Sequence, residues 1–246
     1  MQPHIYRAVV PGTETLQPGT DLPRHRHGAG YATIVLTGSF VEASFAGRFH
    51  VEPGDVLLHA AFDCHANWMV SARGVQLLRL PWSDALEGRF WVRDPDWLTR
   101  LCEQDPLEAS EELPRLLQVA RERDALDWPS QLAVAMSNEP SLSLRQFAAS
   151  RHLSPAALSR GFRRAFGVPP RQFRLETRAR RAWAQLLTTR ATLTEIACAL
   201  EFADLAHMSR SVSALTGFSP SAWRAAPSAT ALLGQLRSSR DSSALA

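Results

Sequence analysis

Between residues 5 and 80 the chain alternates short apolar segments, at 31–36, 40–45, 56–59 and 75–80, with turn signals built from Gly, Pro and Asp. Strands of that length and spacing form a sandwich or a small barrel. The pattern changes around residue 82. From Asp94 the apolar positions recur at the helical period, and Leu113, Leu116, Leu117 and Ala120 fall at i, i+3, i+4 and i+7 on one face. Such a stripe packs either on its own domain or on its copy in a second subunit. Residues 127–224 read as helical, with breaks at Pro140, Pro155, Pro169, Pro170 and Pro220. The tail from Ala225 is rich in Ser and Ala and is expected to fray.

Inside the helical part the chain repeats itself. Leu144, Phe147 and Ala148, then Leu153 and Ser154, then Leu158 and Phe162 form one series. It is echoed by Leu193, Ile196 and Ala197, then Phe202 and Ala203, then His207, Met208 and Val212. Each copy reads as a short helix, a turn and a second helix crossing it steeply, with Ala148 or Ala197 small enough to allow the close approach. Ser154 is a good N-cap, and Pro155 suits the first turn behind it, where a missing N–H costs nothing. Asp204 takes the capping role in the second copy.

Charge divides unevenly between the two parts. Residues 1–126 hold 12 Arg and 17 acidic residues, a net of −5, whereas residues 127–246 hold 15 Arg and 7 acidic residues, a net of +8. A basic half is either a solvated face or a partner for a polyanion such as DNA. Lysine is absent, so every cationic phosphate contact is a guanidinium, which can bond through two N–H groups. Cys64, Cys102 and Cys198 are odd in number and lack CxxC spacing, which argues against a disulfide framework and fits a reducing compartment. With no apolar run suited to a signal peptide and none of about 18 residues anywhere, the expectation is a cytoplasmic protein without a membrane partner.

Residues 142–224 resemble the DNA-binding domain of the AraC/XylS family of bacterial transcription regulators, in which a long helix joins two helix-turn-helix units. The first unit matches at residues 148–154 (AASRHLS) and 158–164 (LSRGFRR), and at Phe166 and Gly167. The second matches at Ile196 and Ala197, at residues 202–204 (FAD), 207–210 (HMSR) and 216–220 (TGFSP), and at Trp223 and Arg224. Residues 170–187 correspond to the joining helix. Two turn positions often filled by Gly in the family hold His152 and Glu201, so those turns must accept a side chain. An aromatic and a basic residue common after Arg210 are Val212 and Ser213 here. The second recognition helix, about 205–215, therefore carries Arg210 as its one formal charge, while the first, about 155–166, carries Arg160, Arg163 and Arg164.

By position, the resemblance implies that Ala156, Ser159 and Arg160, and Leu205, Ala206, His207 and Arg210, face adjacent major grooves of double-stranded DNA. Arg160 and Arg210 occupy matching places and suit bidentate bonds to guanine O6 and N7, although Arg there also serves phosphate contacts or ion pairs. Arg163 and Arg164 suit the phosphate backbone.

In the first part, His25, His27, Tyr31 and Gly38 have the outline of the first cupin motif, and Pro53, Gly54 and Asp55 followed by His65 resemble the second. The regulatory domains of AraC/XylS proteins are commonly cupin-like. Strand alternation places His25 and His27 on one face, and with His65 they offer three imidazoles to zinc or a similar divalent metal. Tyr31 stands where metal-binding cupins have Glu; His59 and Cys64 are reserve ligands. The same histidines serve equally as lining for a small-molecule effector or as structural residues. The resemblance further implies a homodimer, here through Leu113, Leu116 and Leu117, and RNA polymerase as a partner of an activator.

The expected fold class is α+β in two domains, an N-terminal cupin-like β-barrel or sandwich with following helices and a C-terminal all-α double helix-turn-helix. Expected boundaries are 1–82 for the effector-sensing barrel, 83–126 for a helical linker and dimerisation segment, 127–226 for the DNA-binding domain and 227–246 for a disordered tail. The expected activity is transcription regulation without catalysis. The alternatives are a metal-dependent cupin enzyme, a dioxygenase or isomerase, fused to a DNA-binding domain, and a metal-responsive regulator.

Overall fold

The computed structural model describes residues 9–83, 86–119, 127–139 and 141–226. Its first part is built from β1 (Gly12–Leu16), β2 (Leu22–Arg26), β3 (Tyr31–Thr37), β4 (Phe40–Ser44), β5 (Gly47–Val51), β6 (Asp55–His59), β7 (Cys64–Met69), β8 (Val75–Pro81), β9 (Gly88–Trp91) and the short β10 (Gln118–Val119). These form a six-stranded sheet, β1-β8-β3-β6-β9-β10, and a four-stranded sheet, β2-β7-β4-β5. Helices α1 (Pro95–Gln104) and α2 (Pro106–Leu116) precede β10. The second part runs through α3 (Trp128–Asn138), α4 (Leu144–Ser150), α5 (Pro155–Phe166), α6 (Pro170–Thr188), α7 (Leu193–Ala199), α8 (Leu205–Thr216) and α9 (Pro220–Ala225). No described helix is long and apolar enough to cross a membrane.

Alternation along the strands sorts the molecule into layers. Val35, Phe40, Val51, Leu57, Val75 and Leu77 meet between the two sheets. Ala32, Ile34, Val56, Leu58, Leu78 and Leu80 leave the other side of the six-stranded sheet, where Leu98 and Cys102 of α1 and Ala109 and Leu113 of α2 cover them. Ala43, Phe45, Phe62 and Cys64 point away from the inter-sheet core and join Leu132, Phe162, Phe173 and Trp223 in the core of the C-terminal helices. The four-stranded sheet is therefore covered on both faces, and the two parts of the chain share a core.

The structure corrects the sequence boundaries between the parts. β9 pairs with β6, and β10 with β9, so two strands on either side of α1 and α2 extend the six-stranded sheet beyond residue 82. A strand of four residues is too short to display an alternation. The helical stripe also ends early. α2 stops at Leu116, and Leu117 (φ −64, ψ 130) turns the chain into β10, while Ala120 lies outside the described residues. Leu113 is fully buried in the chain's own core, with Leu116 and Leu117 packed against the same cluster. Packing on its own sheet accounts for the stripe, and Leu113 has no surface to offer a second subunit. The break at Pro140 and the tail at 227–246 lie outside the described residues.

Candidate functional site

The two helix-turn-helix copies are built alike down to single hydrogen bonds. At the end of α4, His152 N–H donates to the Ala149 carbonyl (3.1 Å) and Leu153 N–H to that of Ala148 (2.9 Å). At the end of α7, Glu201 donates to Cys198 (3.0 Å) and Phe202 to Ala197 (2.9 Å). This bond pair is the Schellman motif, which needs a left-handed residue, and His152 (φ 53) and Glu201 (φ 55) supply it in place of Gly. The next helices start on side-chain caps: Ser154 Oγ accepts from Ala157 N–H (3.1 Å) and the Asp204 carboxylate from His207 N–H (2.5 Å). The second copy holds one residue more, Ala203, between turn and cap. Both recognition helices end on a left-handed Gly, Gly167 (φ 76) and Gly217 (φ 85).

α5 buries Leu158, Phe162, Ala165 and Phe166, exposes Ala156, Arg160, Arg163 and Arg164, and leaves Ser159 half-buried. α8 buries Met208, Ser211, Val212, Leu215 and Thr216 and exposes Leu205, Ala206 and Arg210. His207 is half-buried with its ring 5.4 Å from that of Phe202, so part of it is committed to the turn. Among the described residues, nothing accepts a hydrogen bond from Arg160, Arg163, Arg164 or Arg210. Neighbouring arginines are engaged: Arg174 donates to the Leu142 carbonyl (2.5 Å), Arg178 to the Glu201 carbonyl and carboxylate (3.0 Å each), and Arg224 to the Ala191 carbonyl (2.8 Å). Sequence alone does not separate these groups. It also passed over Arg145 and Arg190, which are exposed on the same half. The 19 residues of α6 span about 28 Å by helical rise, the scale of one DNA turn of about 34 Å.

A second constellation lies between the sheets. His25 and His65 are cross-strand partners on β2 and β7, Tyr31 and His59 on β3 and β6, and Glu42 and Asn67 on β4 and β7. Within the four-stranded sheet the His25 and His65 ring centroids lie 4.3 Å apart, and across the sheets those of His59 and His65 lie 4.6 Å apart. One ligand atom from each of His25, His27 and His65 lies within 4.8 Å of the others, so the histidines singled out from the sequence do converge. Glu42, His59 and His65 form a second such group. Thus a carboxylate is present, but from β4; the Tyr31 hydroxyl instead lies 2.9 Å from His65 Nε2. Glu42 escaped the sequence reading because the β4–β7 register brings it in; its one signal was a charge between Val41 and Ala43. Cys64 belongs to neither group. Its thiol donates to the Phe62 carbonyl (3.7 Å) on the helix side, and burial pushes its pKa up to about 12.

Burial raises the pKa of Glu42 and depresses that of His65 well below its ordinary value, which keeps His65 neutral. Burial opposes charge on His59 too, but Glu42 and Asp63 outweigh it, and the His59 pKa is raised. Asp63 sits 2.9 Å from His59 Nδ1; burial disfavours its charge, yet the bond and the charge of His59 hold its pKa below the usual range. Asn67 Nδ2 donates to Glu42 Oε2 at 3.0 Å.

Two connections run from this cluster to the helices. On β2, Arg24 and Arg26 face away from the histidines: Arg24 Nε meets Glu176 of α6 at 2.9 Å, and Arg26 donates to the Ala214 carbonyl of α8 at 2.6 Å. After β6, Phe62 (φ 60) sets its ring 4.9 Å from Trp183 and 5.9 Å from Trp223, beside Asp63.

Residues 147–226 match a family model described as a helix-turn-helix domain. Among solved structures, the chain is similar to the C-terminal domain of AraT, a response regulator from Geobacillus stearothermophilus, at 22% identity over 39% of this chain and 83% of that one (TM-score 0.37). It is similar to the DNA-binding domain of the transcriptional factor AdpA in complex with a target DNA, at 25% identity over 40% and 91% (TM-score 0.37). ToxT from Vibrio cholerae aligns over 87% of this chain and 96% of its own at 10% identity (TM-score 0.40). No curated protein matches the chain.

Proposed function

We propose that this chain, whose residues 147–226 are a helix-turn-helix domain of the AraC type, is a regulator of transcription that binds double-stranded DNA sequence-specifically through α5 and α8. The observation that carries this reading is the pair Arg160 and Arg210. They stand at matching places on the two recognition helices, both exposed and neither bonded to another described residue. Arg163 and Arg164 extend the basic surface of α5 towards the phosphates, and Ala156, Ser159, Leu205, Ala206 and His207 form the remainder of the groove-facing set.

The two-sheet unit is the sensing part, a cupin-like domain working in the cytoplasm. Its connections through Arg24, Arg26 and Phe62 favour that assignment, since any shift of β2 or of the loop after β6 reaches α6 and α8 directly. A homodimer through this unit is the expected assembly, with Leu116 and Leu117 left from the expected seam and Leu113 serving the interior. RNA polymerase is the further partner if the regulator activates.

The test is to capture fragmented genomic DNA from the source organism on the full-length protein and sequence what is retained. A few enriched loci are expected, with log affinity falling against log salt by about 0.9 for each phosphate neutralised. Uniform recovery of all fragments, or none, would overturn the proposal.

A further inference from the structure

The space between the sheets is narrow around the histidines. Its cavity has a volume of about 10 Å³ and is lined by His25, Tyr31, Glu42, His65, Asn67 and Arg79 among others. That is room for one water molecule or one ion. We infer that Glu42, His59 and His65, whose ligand atoms lie within 4.8 Å of one another and of which Glu42 and His65 line this cavity, form a site for a single divalent metal ion. The inference concerns the protein without DNA and stands or falls separately from the DNA-binding reading.

Four observations carry it. The three residues come from β4, β7 and, across the interface, β6, and each is at most 3% exposed, so their donor atoms are fixed by both sheets. His59 Nε2 and Glu42 Oε2 stand 3.5 Å apart, and His59 Nε2 and His65 Nδ1 are buried without a hydrogen-bond partner. Two ligands bonded at about 2.0–2.1 Å to one tetrahedral ion are separated by about 3.3–3.4 Å, close to the distance found. The supporting groups are also in place. Asp63 holds His59 through the opposite ring nitrogen and Asn67 holds Glu42, the arrangement by which outer residues orient metal ligands. Finally, two imidazoles and one carboxylate are a zinc-type donor set, and the facing cation, Arg79, is itself ion-paired with Glu14 at 2.7 Å. The group chosen from the sequence shares only His65 with this one. Its His25 is partly exposed, with Nδ1 committed to the Pro23 carbonyl at 2.9 Å.

The experiment uses the full-length protein, stripped with chelator and titrated with Zn²⁺ and Co²⁺, with bound metal measured by mass spectrometry and the Co²⁺ site by its visible absorption. One ion per chain is expected, with a rise in the melting temperature of the wild type on adding Zn²⁺. Glu42→Gln and His59→Gln should each weaken binding by about 100-fold or more and Asp63→Asn by about 10–100-fold, whereas His25→Ala with His27→Ala should change it by less than about tenfold. A wild type that takes up no stoichiometric metal and shows no Co²⁺ bands overturns the inference. So does loss of binding in the His25/His27 variant with Glu42→Gln unaffected. The wild-type melting shift needs no variant, so a substitution that fails to fold leaves the test intact.

Discussion

The Arg26 guanidinium donates to the main-chain carbonyl of Ala214 at 2.6 Å, tying the strand that carries His25 to the helix that carries Arg210. Ala214 lies in the last turn of α8, where carbonyls lack helical partners and the helix dipole favours a cation. Strand alternation makes this possible with few residues. His25 meets the cluster, while its neighbours Arg24 and Arg26 reach the C-terminal helices on the other face.

Arg24 and Glu176 form the companion contact, and both are largely buried. Arg24→Met leaves the Glu176 carboxylate without its cation and should cost about 3 kcal/mol. Adding Glu176→Leu should restore much of that loss, because two apolar side chains carry no desolvation penalty. Denaturant unfolding of the full chain measures both. A double variant no more stable than Arg24→Met would remove the ion pair from this role.

The recognition helices separate by their arginines. Arg160→Ala and Arg210→Ala should each cost roughly 1–3 kcal/mol of binding and relax preference at one base pair, the two positions lying about one DNA turn apart. Arg163→Ala should weaken all sequences alike and lower the salt slope by about one unit. Binding to a library of single-base operator variants distinguishes the cases, and a uniform loss for Arg160→Ala would reassign it to the backbone.

His152 and Glu201 occupy left-handed backbone at equivalent turns. His152→Gly should stabilise the chain by about 1 kcal/mol, the relief of the left-handed penalty less the added freedom of the unfolded chain. Glu201→Gly should gain less, since it gives up the bond from Arg178 to the Glu201 carboxylate. Equal melting shifts for the two variants would show that the Arg178 contact contributes nothing.

Thiol chemistry should report the same packing. Cys64 and Cys102 are 2% and 4% exposed, whereas Cys198 lies on the surface of α7. Iodoacetamide should therefore label one site, Cys198, in the folded protein and all three after unfolding. Mass spectrometry of briefly treated native protein checks this, and early labelling of Cys64 would mean that the four-stranded sheet parts from the helices in solution.

What was legible in the sequence was what short-range chemistry determines. Ser154, Pro155 and Asp204 mark the starts of α5 and α8, and the departures from Gly at His152 and Glu201 mark the left-handed turns. The convergence of His25, His27 and His65 was legible because alternation and motif order both pointed to it. Glu42 and the burial of Leu113 were not, for a common reason. Periodicity tells that a side chain faces something but not what, and the partner is set by pairing between strands distant in sequence. The shared core was hidden in the same way, since nothing in the apolar segment at 40–45 tells that Ala43 and Phe45 meet the C-terminal helices.

That shared core bears on how such a protein can be re-engineered. A chimera joined within residues 120–126, with a different N-terminal domain in front of α3, removes Phe45 and Phe62 from beneath Phe173 and Trp223. The transplanted C-terminal helices would present a raw apolar floor and would need a matching lid from their new neighbour. The two parts of the chain share one core, and recombination that exchanges either must exchange the joint as well.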